Sequence, residues 1–257
     1  MTQDEKRVFL IQTLLQERTD YAQIELPVTH EEQFALLRSL MNIRPPEPIS
    51  GRFLQIQDEY LQTETTHKGV TELSELRPIE NGIYLWQGDI TTLRCDAIVN
   101  AANSDMLGCF CPCHACIDNA IHTYSGVQLR LVCAKLMKEQ GYKEPTGKAK
   151  ITPAFNLPCK YVLHTVGPII QGKVTERDKE LLASCYRSCL ETAVKNGLQS
   201  VAFCCISTGE YHFPNRMAAE IAINTVKYFR KEMKKSIKVI FNVYKEKDYS
   251  IYQKLLS

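Results

Sequence analysis

The chain has almost no surplus of either charge, no long apolar run, no internal repeat and no low-complexity segment. Thirty-one Lys and Arg against 29 Asp and Glu leave a formal charge of +2 over 257 residues. That balance supplies no general attraction to nucleic acid or to an anionic membrane, so neither is expected as a partner. No apolar stretch reaches the roughly 18 to 20 residues that span a bilayer. The opening Met1-Thr2-Gln3-Asp4-Glu5-Lys6 is polar, and the apolar run Val8 to Leu15 is broken by polar residues, so no secretory leader is read. Cysteine, by contrast, is abundant. Eleven is an odd number, and complete pairing within the chain is impossible. A reducing, cytoplasmic protein is expected, with cysteines that are buried small hydrophobes or metal ligands rather than a disulfide framework. The remaining composition, 44% apolar and 23% charged, allows a sizeable buried core. The length suits one large domain, or one domain with an extension.

The hydrophobic pattern changes along the chain. Val8, Leu10, Ile11, Leu14 and Leu15 recur at helical spacing. Thr29-His30-Glu31-Glu32 has the form of a capping box and precedes the apolar face Ala35, Leu36, Leu37, Leu40 and Met41. "IRPPEPISG" must end that helix, because proline lacks an N–H and restricts the residue before it. A third helix is expected from Arg52 to about Thr65. Residues 1–75 thus read as a helical N-terminal extension, and residues 76–257 as a separate α/β domain. In the latter, "IYLWQG", "DAIVNAA", "AKITPAF", "YVLHTVG", "SVAFCCIS" and "KVIFNVY" are short apolar runs, several of them continuous, as for strands buried on both faces. Amphipathic stripes lie between them, one from Leu181 to Val194 closed by Asn196-Gly197, another from Met217 to Phe229 opened near Pro214. The expected fold class is a three-layer α/β/α domain with a mixed, largely parallel central sheet.

Ligands of doubly wound sheets sit beyond the carboxyl ends of the strands. Three segments fall there: Gln87-Gly88-Asp89-Ile90-Thr91, Asn100-Ala101-Ala102-Asn103, and Ser207-Thr208-Gly209-Glu210-Tyr211. The Asp89 carboxylate can accept an exocyclic amine, and equally well can cap a helical turn. The amides of Ser207, Thr208 and Gly209 can cradle an anion, or form a simple turn. Between the second and third segments lies "GCFCPCHACIDNAIH", Gly108 to His122, with cysteines and an imidazole crowded together. His122 and His164 fit core or capping positions; His212 can line a site or be solvated. Cys185, Cys189, Cys204 and Cys205 fall on helix or strand faces as core residues.

In order, G-D-I-T, D-A-I-V-N-A-A-N, A-I-H, P-T-G-K-A-K-I-T, Y-V-L-H-T-V-G-P and I-S-T-G resemble the macrodomain family, over about Gly82 to Leu256. Macrodomains bind ADP-ribose, and many hydrolyse it from modified proteins. The resemblance implies that Asp89 holds the adenine amine and Ile90 contributes a backbone amide. It implies that Asn103 faces the distal ribose, that Ser207, Thr208 and Gly209 wrap the diphosphate with Glu210 in the same loop, and that Tyr211 packs near the distal ribose. Tyr244 falls where adenine is stacked, though ordinary strand-end packing also suits it. Asp118, in I-D-N-A-I-H, matches the catalytic aspartate of hydrolytic relatives, with Asn103 positioning the ribose.

One departure from the family pattern stands out. Hydrolytic relatives carry a glycine run before the aspartate, which lets backbone approach the phosphates. Here it is replaced by "GCFCPCHAC", with Gly108 alone retained. This segment resembles the zinc-containing microbial subclass, whose Cys-x4-His-x-Cys set Cys109, His114 and Cys116 fit. Thiolate and imidazole suit Zn²⁺, and three protein ligands leave a fourth position open for chemistry. Adding Cys111 or Cys113 would give a closed structural site, and a metal-free, redox-sensitive loop is the remaining reading. The resemblance implies one zinc per chain and a hydrolase acting on mono-ADP-ribosylated protein at an Asp or Glu ester. A non-catalytic ADP-ribose reader and a redox-switched regulator are the other classes. In that subclass the modified protein is often a lipoyl carrier domain, and the modifier a sirtuin-like transferase.

Overall fold

A computed structural model describes residues 1–233 and 237–257. Three helices come first: α1 (Gln3–Gln16), α2 (His30–Ile43) and α3 (Gly51–Lys68). Each starts at a hydroxyl cap, Thr2, Thr29 or Ser50, whose side chain accepts an N–H of the first turn. The Thr29 cap differs in detail from the expected box: its hydroxyl donates to Glu32 Oε2 at 2.8 Å, so the glutamate does not reach back to the backbone. Leu10, Ile11, Leu14, Leu37, Leu40, Met41, Phe53, Ile56, Tyr60 and Leu61 bury one another between these helices, and Val127 of the following domain completes the cluster. Each fully buried aliphatic side chain contributes roughly 1.5–3 kcal/mol by leaving water.

The rest of the chain builds a layered α/β domain. Its strands are β1 (Thr71–Glu72), β2 (Pro78–Glu80), β3 (Ile83–Gln87), β4 (Leu93–Arg94), β5 (Ala97–Ala101), β6 (Ala149–Pro153), β7 (Tyr161–Thr165), β8 (Ser200–Phe203) and β9 (Lys238–Val243). Its helices are α4 (Ile117–Ser125), α5 (Val127–Gln140), α6 (Glu176–Lys195), α7 (Asn215–Met233) and α8 (Glu246–Leu256). The large sheet has the order β2-β3-β9-β8-β5-β7-β6. Strands β3, β9, β8, β5 and β7 run parallel, while β2 and β6 are antiparallel edges. The mixed, largely parallel sheet is therefore as expected, and the continuous apolar runs are its central strands. Ser200 to Phe203 are buried throughout, and so are Val239 to Val243.

Parallel strands end at one edge. Beyond β3 come Gly88 and Asp89, beyond β5 comes Asn103, beyond β8 comes Ser207, and beyond β9 comes Tyr244. The three segments singled out in the sequence therefore share one rim. The N-terminal helices dock beside it through polar contacts. Gln57 of α3 is fully buried, and its Oε1 accepts the Val127 N–H at 2.9 Å. Gly126, which caps α5, has no side chain to do so. Among the described residues no helix is long and apolar enough to cross a membrane.

Candidate active site

Asp118 lies in the first turn of α4 and is 5% exposed. Its Oδ1 accepts from Asn100 Nδ2 at 2.7 Å, and its Oδ2 from Asn103 Nδ2 at 3.3 Å. Burial pushes this carboxyl up to about 6, against the Asn100 hydrogen bond and the Arg130 charge, which both favour the ionised form. His122, one turn on, brings Nε2 to 3.6 Å from Oδ1. The contact is not an ion pair, because burial, followed by the neighbouring His164 and Arg130 charges, holds the imidazole well below its ordinary value and thus neutral. His164 is the hydrogen-bonded core histidine the sequence suggests: Thr152 Oγ1 lies 2.9 Å from its Nε2, and Asn100 Nδ2 3.2 Å from its Nδ1.

The raised carboxyl has a stability consequence in metal-free protein. An aspartate normally titrates near 3.8, so below that value both folded and unfolded chains are protonated and no difference arises. As pH rises toward 6, the unfolded chain releases its proton and the folded one does not, and the fold loses stability; above 6 the full cost, roughly 3 kcal/mol, is present. Asp118→Asn should therefore melt higher than wild type at pH 7.5, with the difference vanishing near pH 3.5. Scanning calorimetry across that range checks it, and an equal difference at both pH values would contradict it.

The segment Gly108 to Cys116 leads into α4, with Cys116 as its N-cap and the Gly108 carbonyl bonded to Asn103. Sγ of Cys109, a ring nitrogen of His114 and Sγ of Cys116 lie within 4.8 Å of one another. Cys109 Sγ is 3.6 Å from His114 Nδ1, while the other ring nitrogen, Nε2, faces Glu210 Oε1 at 3.8 Å. Burial pushes the Cys116 thiol up to about 12, against the Asn119 N–H that donates to its sulfur at 3.4 Å. A desolvated thiol beside a second thiol and an imidazole is a soft, compact donor set, and its chemistry fits Zn²⁺. Cys111 and Cys113 stand apart from it: both are exposed, and Cys113 Sγ sits 3.2 Å from Ser39 Oγ on α2. Gly108 has φ +80°, and a Cβ there would fall 2.7 Å from the His122 ring, which accounts for the one glycine kept in this run.

The other candidate residues line the same rim. Asp89 caps the short turn Ile90–Thr92, with Oδ1 accepting from Thr91 N at 2.9 Å and Thr91 Oγ1 at 2.6 Å. Its Oδ2 points outward and meets Lys68 Nζ at 3.3 Å. Capping thus uses Oδ1 alone. Ile90 is buried beside it. Ser207 adopts φ 65°, and its buried Oγ has no partner among the described residues. A Cβ on Gly167 would come within 2.0 Å of that hydroxyl, so Gly167 is what lets the loop approach β7's end. Thr208 Oγ1 donates to Cys205 O at 3.0 Å, and Gly209 O accepts the His212 N–H. Glu210 is exposed. Tyr211 is half-buried, its hydroxyl pushed up by burial and then by the Asp118 and Cys116 charges, and its carbonyl accepts the Ile170 N–H at 2.9 Å. Tyr244 is 76% exposed, and a flat ring presented to solvent at a strand end is free to stack. Asn100 opens the second rim segment but was given no role of its own in the sequence, and Gly167 and Lys68 were not singled out at all. The signal for Asn100 was a polar residue inside an otherwise buried strand; Lys68 offered none.

A capping carboxylate, a loop with a partnerless hydroxyl and a buried helical aspartate gathered at the carboxyl rim of a parallel sheet form the kind of place where α/β domains hold a ligand. The Macro domain family model matches residues 99–222. A Treponema medium protein named protein-ADP-ribose hydrolase is 59% identical, covering 100% of both chains. A Staphylococcus aureus protein of the same name is 48% identical over 97% of this chain and 94% of its own. Among solved structures, the Trypanosoma brucei macrodomain in complex with ADP-ribose is similar at TM-score 0.66, with 31% identity, 85% of this chain and 95% of that one. The Oceanobacillus iheyensis macrodomain with ADP matches at TM-score 0.63, with 37% identity, 70% of this chain and 93% of that one. The chain belongs to the macrodomain family.

Proposed function

We propose that the protein is a zinc-dependent hydrolase that removes ADP-ribose from mono-ADP-ribosylated protein, at the ester to an Asp or Glu side chain. The observation that carries this reading is Asp118: a buried carboxylate held by Asn100 and Asn103, two residues after the last member of a Cys/His/Cys cluster. A pure reader needs neither. The relatives named above support it by their names, and the neighbours by the ligands they hold.

In this reading ADP-ribose lies along the rim. The outward oxygen of Asp89 takes the adenine amine, Ile90 offers its N–H, and Tyr244 stacks. The amides of Ser207, Thr208 and Gly209 take the diphosphate, and the partnerless Ser207 hydroxyl gains an acceptor. Glu210 and Tyr211 close the distal side. Asn103, already bonded to Asp118, positions the distal ribose. Cys109, His114 and Cys116 would hold one zinc, which would supply a Lewis acid and make water at the site more acidic. Asp118 orients the attacking water and accepts its proton; a carboxyl near 6 is well matched to that task at neutral pH. Asn100 fixes its orientation. The modified protein is proposed to be a lipoyl carrier domain modified by a sirtuin-like transferase, and the compartment a reducing cytoplasm, in keeping with eleven free cysteines.

Binding gives a first test. Calorimetry should show ADP-ribose binding with a Kd in the micromolar range or tighter, roughly −8 kcal/mol at 1 μM. Asp89→Ala should weaken it at least tenfold, and should weaken the inosine analogue, which has no exocyclic amine, much less. Equal losses for both would remove Asp89 from the adenine pocket. Release of ADP-ribose from an Asp- or Glu-modified protein tests the reaction itself; binding without release would make the protein a reader.

A further inference from the structure

The metal-binding segment does not hold its own shape. Between Cys109 and Cys116 the chain contains a left-handed residue, Cys113 with φ 51°, and its one internal main-chain bond outside α4 is His114 N–H to Cys111 O at 3.3 Å. The contacts that fix it come from α2. Arg38 Nη2 donates to the His114 carbonyl at 3.0 Å and to Asn119 Oδ1 at 2.8 Å, and Nε reaches the same amide oxygen at 3.2 Å. Asn119, thus oriented, donates Nδ2 to the Cys111 carbonyl at 2.9 Å and its N–H to Cys116 Sγ. Asn42 Oδ1 accepts the Cys113 N–H at 3.0 Å. The other end of the segment is tied to the same helix: Arg130 donates Nε to the Leu107 carbonyl at 2.6 Å and Nη1 to the carbonyls of Met41 and Arg44, where α2 ends. His114 and Cys116 are therefore referenced to α2 through Arg38 and Asn119, and the start of the segment, ahead of Cys109, through Arg130, though no cluster member belongs to α2.

We propose that α2 is part of the metal centre, with Arg38 as the positioning residue that sets the separation of His114 from Cys116, and Asn42 as its support. The proposal rests on the reading that Cys109, His114 and Cys116 bind a metal. It assigns the N-terminal helices a role beyond covering a sheet edge. Arginine is suited to it because one planar guanidinium spans two acceptors in fixed geometry, which an ammonium cannot do. Groups that orient metal ligands commonly alter metal affinity by 10–100-fold when removed.

The test uses the full chain, with zinc affinity measured by chelator competition and ligand geometry by the visible absorption of the Co²⁺-substituted protein. Arg38→Ala should weaken zinc by about 10–100-fold and shift the cobalt bands. Leu14→Ala, which opens a cavity in the core of the same helices without touching the segment, should lower the melting temperature and leave both readouts at wild-type values. Should Arg38→Ala not fold, Arg38→Lys, which keeps the charge but not the two-acceptor reach, carries the same expectation. Wild-type zinc affinity and cobalt spectrum in a folded Arg38 variant would overturn the proposal, as would an equal change in Leu14→Ala. A wild-type protein that takes up neither zinc nor cobalt would instead refute the metal reading itself, and the proposal with it.

Discussion

Asp118→Ala is expected to lose at least about 10²-fold in single-turnover release of ADP-ribose while keeping its zinc and much of its affinity for free ADP-ribose. The size follows from removing an acid/base group at the reacting centre. The split between turnover and binding follows from geometry. Among the described residues Asp118 makes no hydrogen bond to the Asp89 turn or to the Ser207–Gly209 loop, which are proposed to carry the adenine and diphosphate contacts, so those should survive its loss. Its partners also survive: Asn100 keeps its contact with His164, and Asn103 keeps the Gly108 carbonyl at 2.9 Å. Asn100→Ala should reproduce the defect in part, since it leaves the carboxylate in place but frees its orientation. If Asp118→Ala instead weakens ADP-ribose binding as much as it slows release, the residue serves binding and the proton acceptor lies elsewhere.

The parts of this arrangement that sequence could reveal are those whose physics is local. Continuous apolar runs such as "VAFCCI" announce strands buried on both faces, and strand direction then places Asp89, Asn103, Ser207 and Tyr244 on one rim. The Cys-x4-His-x-Cys spacing carries a donor set within a few residues. What sequence did not reveal depends on contacts over long separations. Arg38 meets Asn119 across 81 positions, and Asn42 meets Cys113 across 71. On α2 both read as ordinary polar residues beside an apolar stripe. The Val127–Gln140 helix and the short strands β1, β2 and β4 were also not singled out, the strands because two or three residues show no periodicity. Asp89 shows the opposite case: cap and ligand acceptor were alternatives on the sequence, and its two oxygens allow both uses at once.

Single substitutions Cys109→Ala, His114→Ala and Cys116→Ala should each abolish tight zinc binding, whereas Cys111→Ala and Cys113→Ala should leave one zinc per chain. The structure separates the two groups. Cys109, His114 and Cys116 converge within 4.8 Å, but the Cys113 sulfur is turned toward Ser39 and the Ala35 carbonyl of α2. Cys113→Ala removes that side-chain contact and retains the main-chain bond to Asn42, so the segment keeps its course. Release of ADP-ribose from modified protein should fall with the metal in the first group and persist in the second. His114→Ala should also weaken ADP-ribose itself, because the imidazole faces Glu210 of the Ser207–Tyr211 loop proposed to hold the diphosphate, and losing it frees both segments. The ligand variants and Asp118→Ala therefore predict different signatures on the same three measurements: metal, affinity and turnover fall together in His114→Ala, and turnover falls alone in Asp118→Ala. If stripping zinc completely from wild-type protein leaves release undiminished and the fold intact, the metal is structural and the chemistry belongs to Asp118 with a water held by the phosphates. If Cys113→Ala loses zinc as fully as Cys116→Ala, the site is closed by a fourth thiolate, and no position remains on the metal for water or substrate.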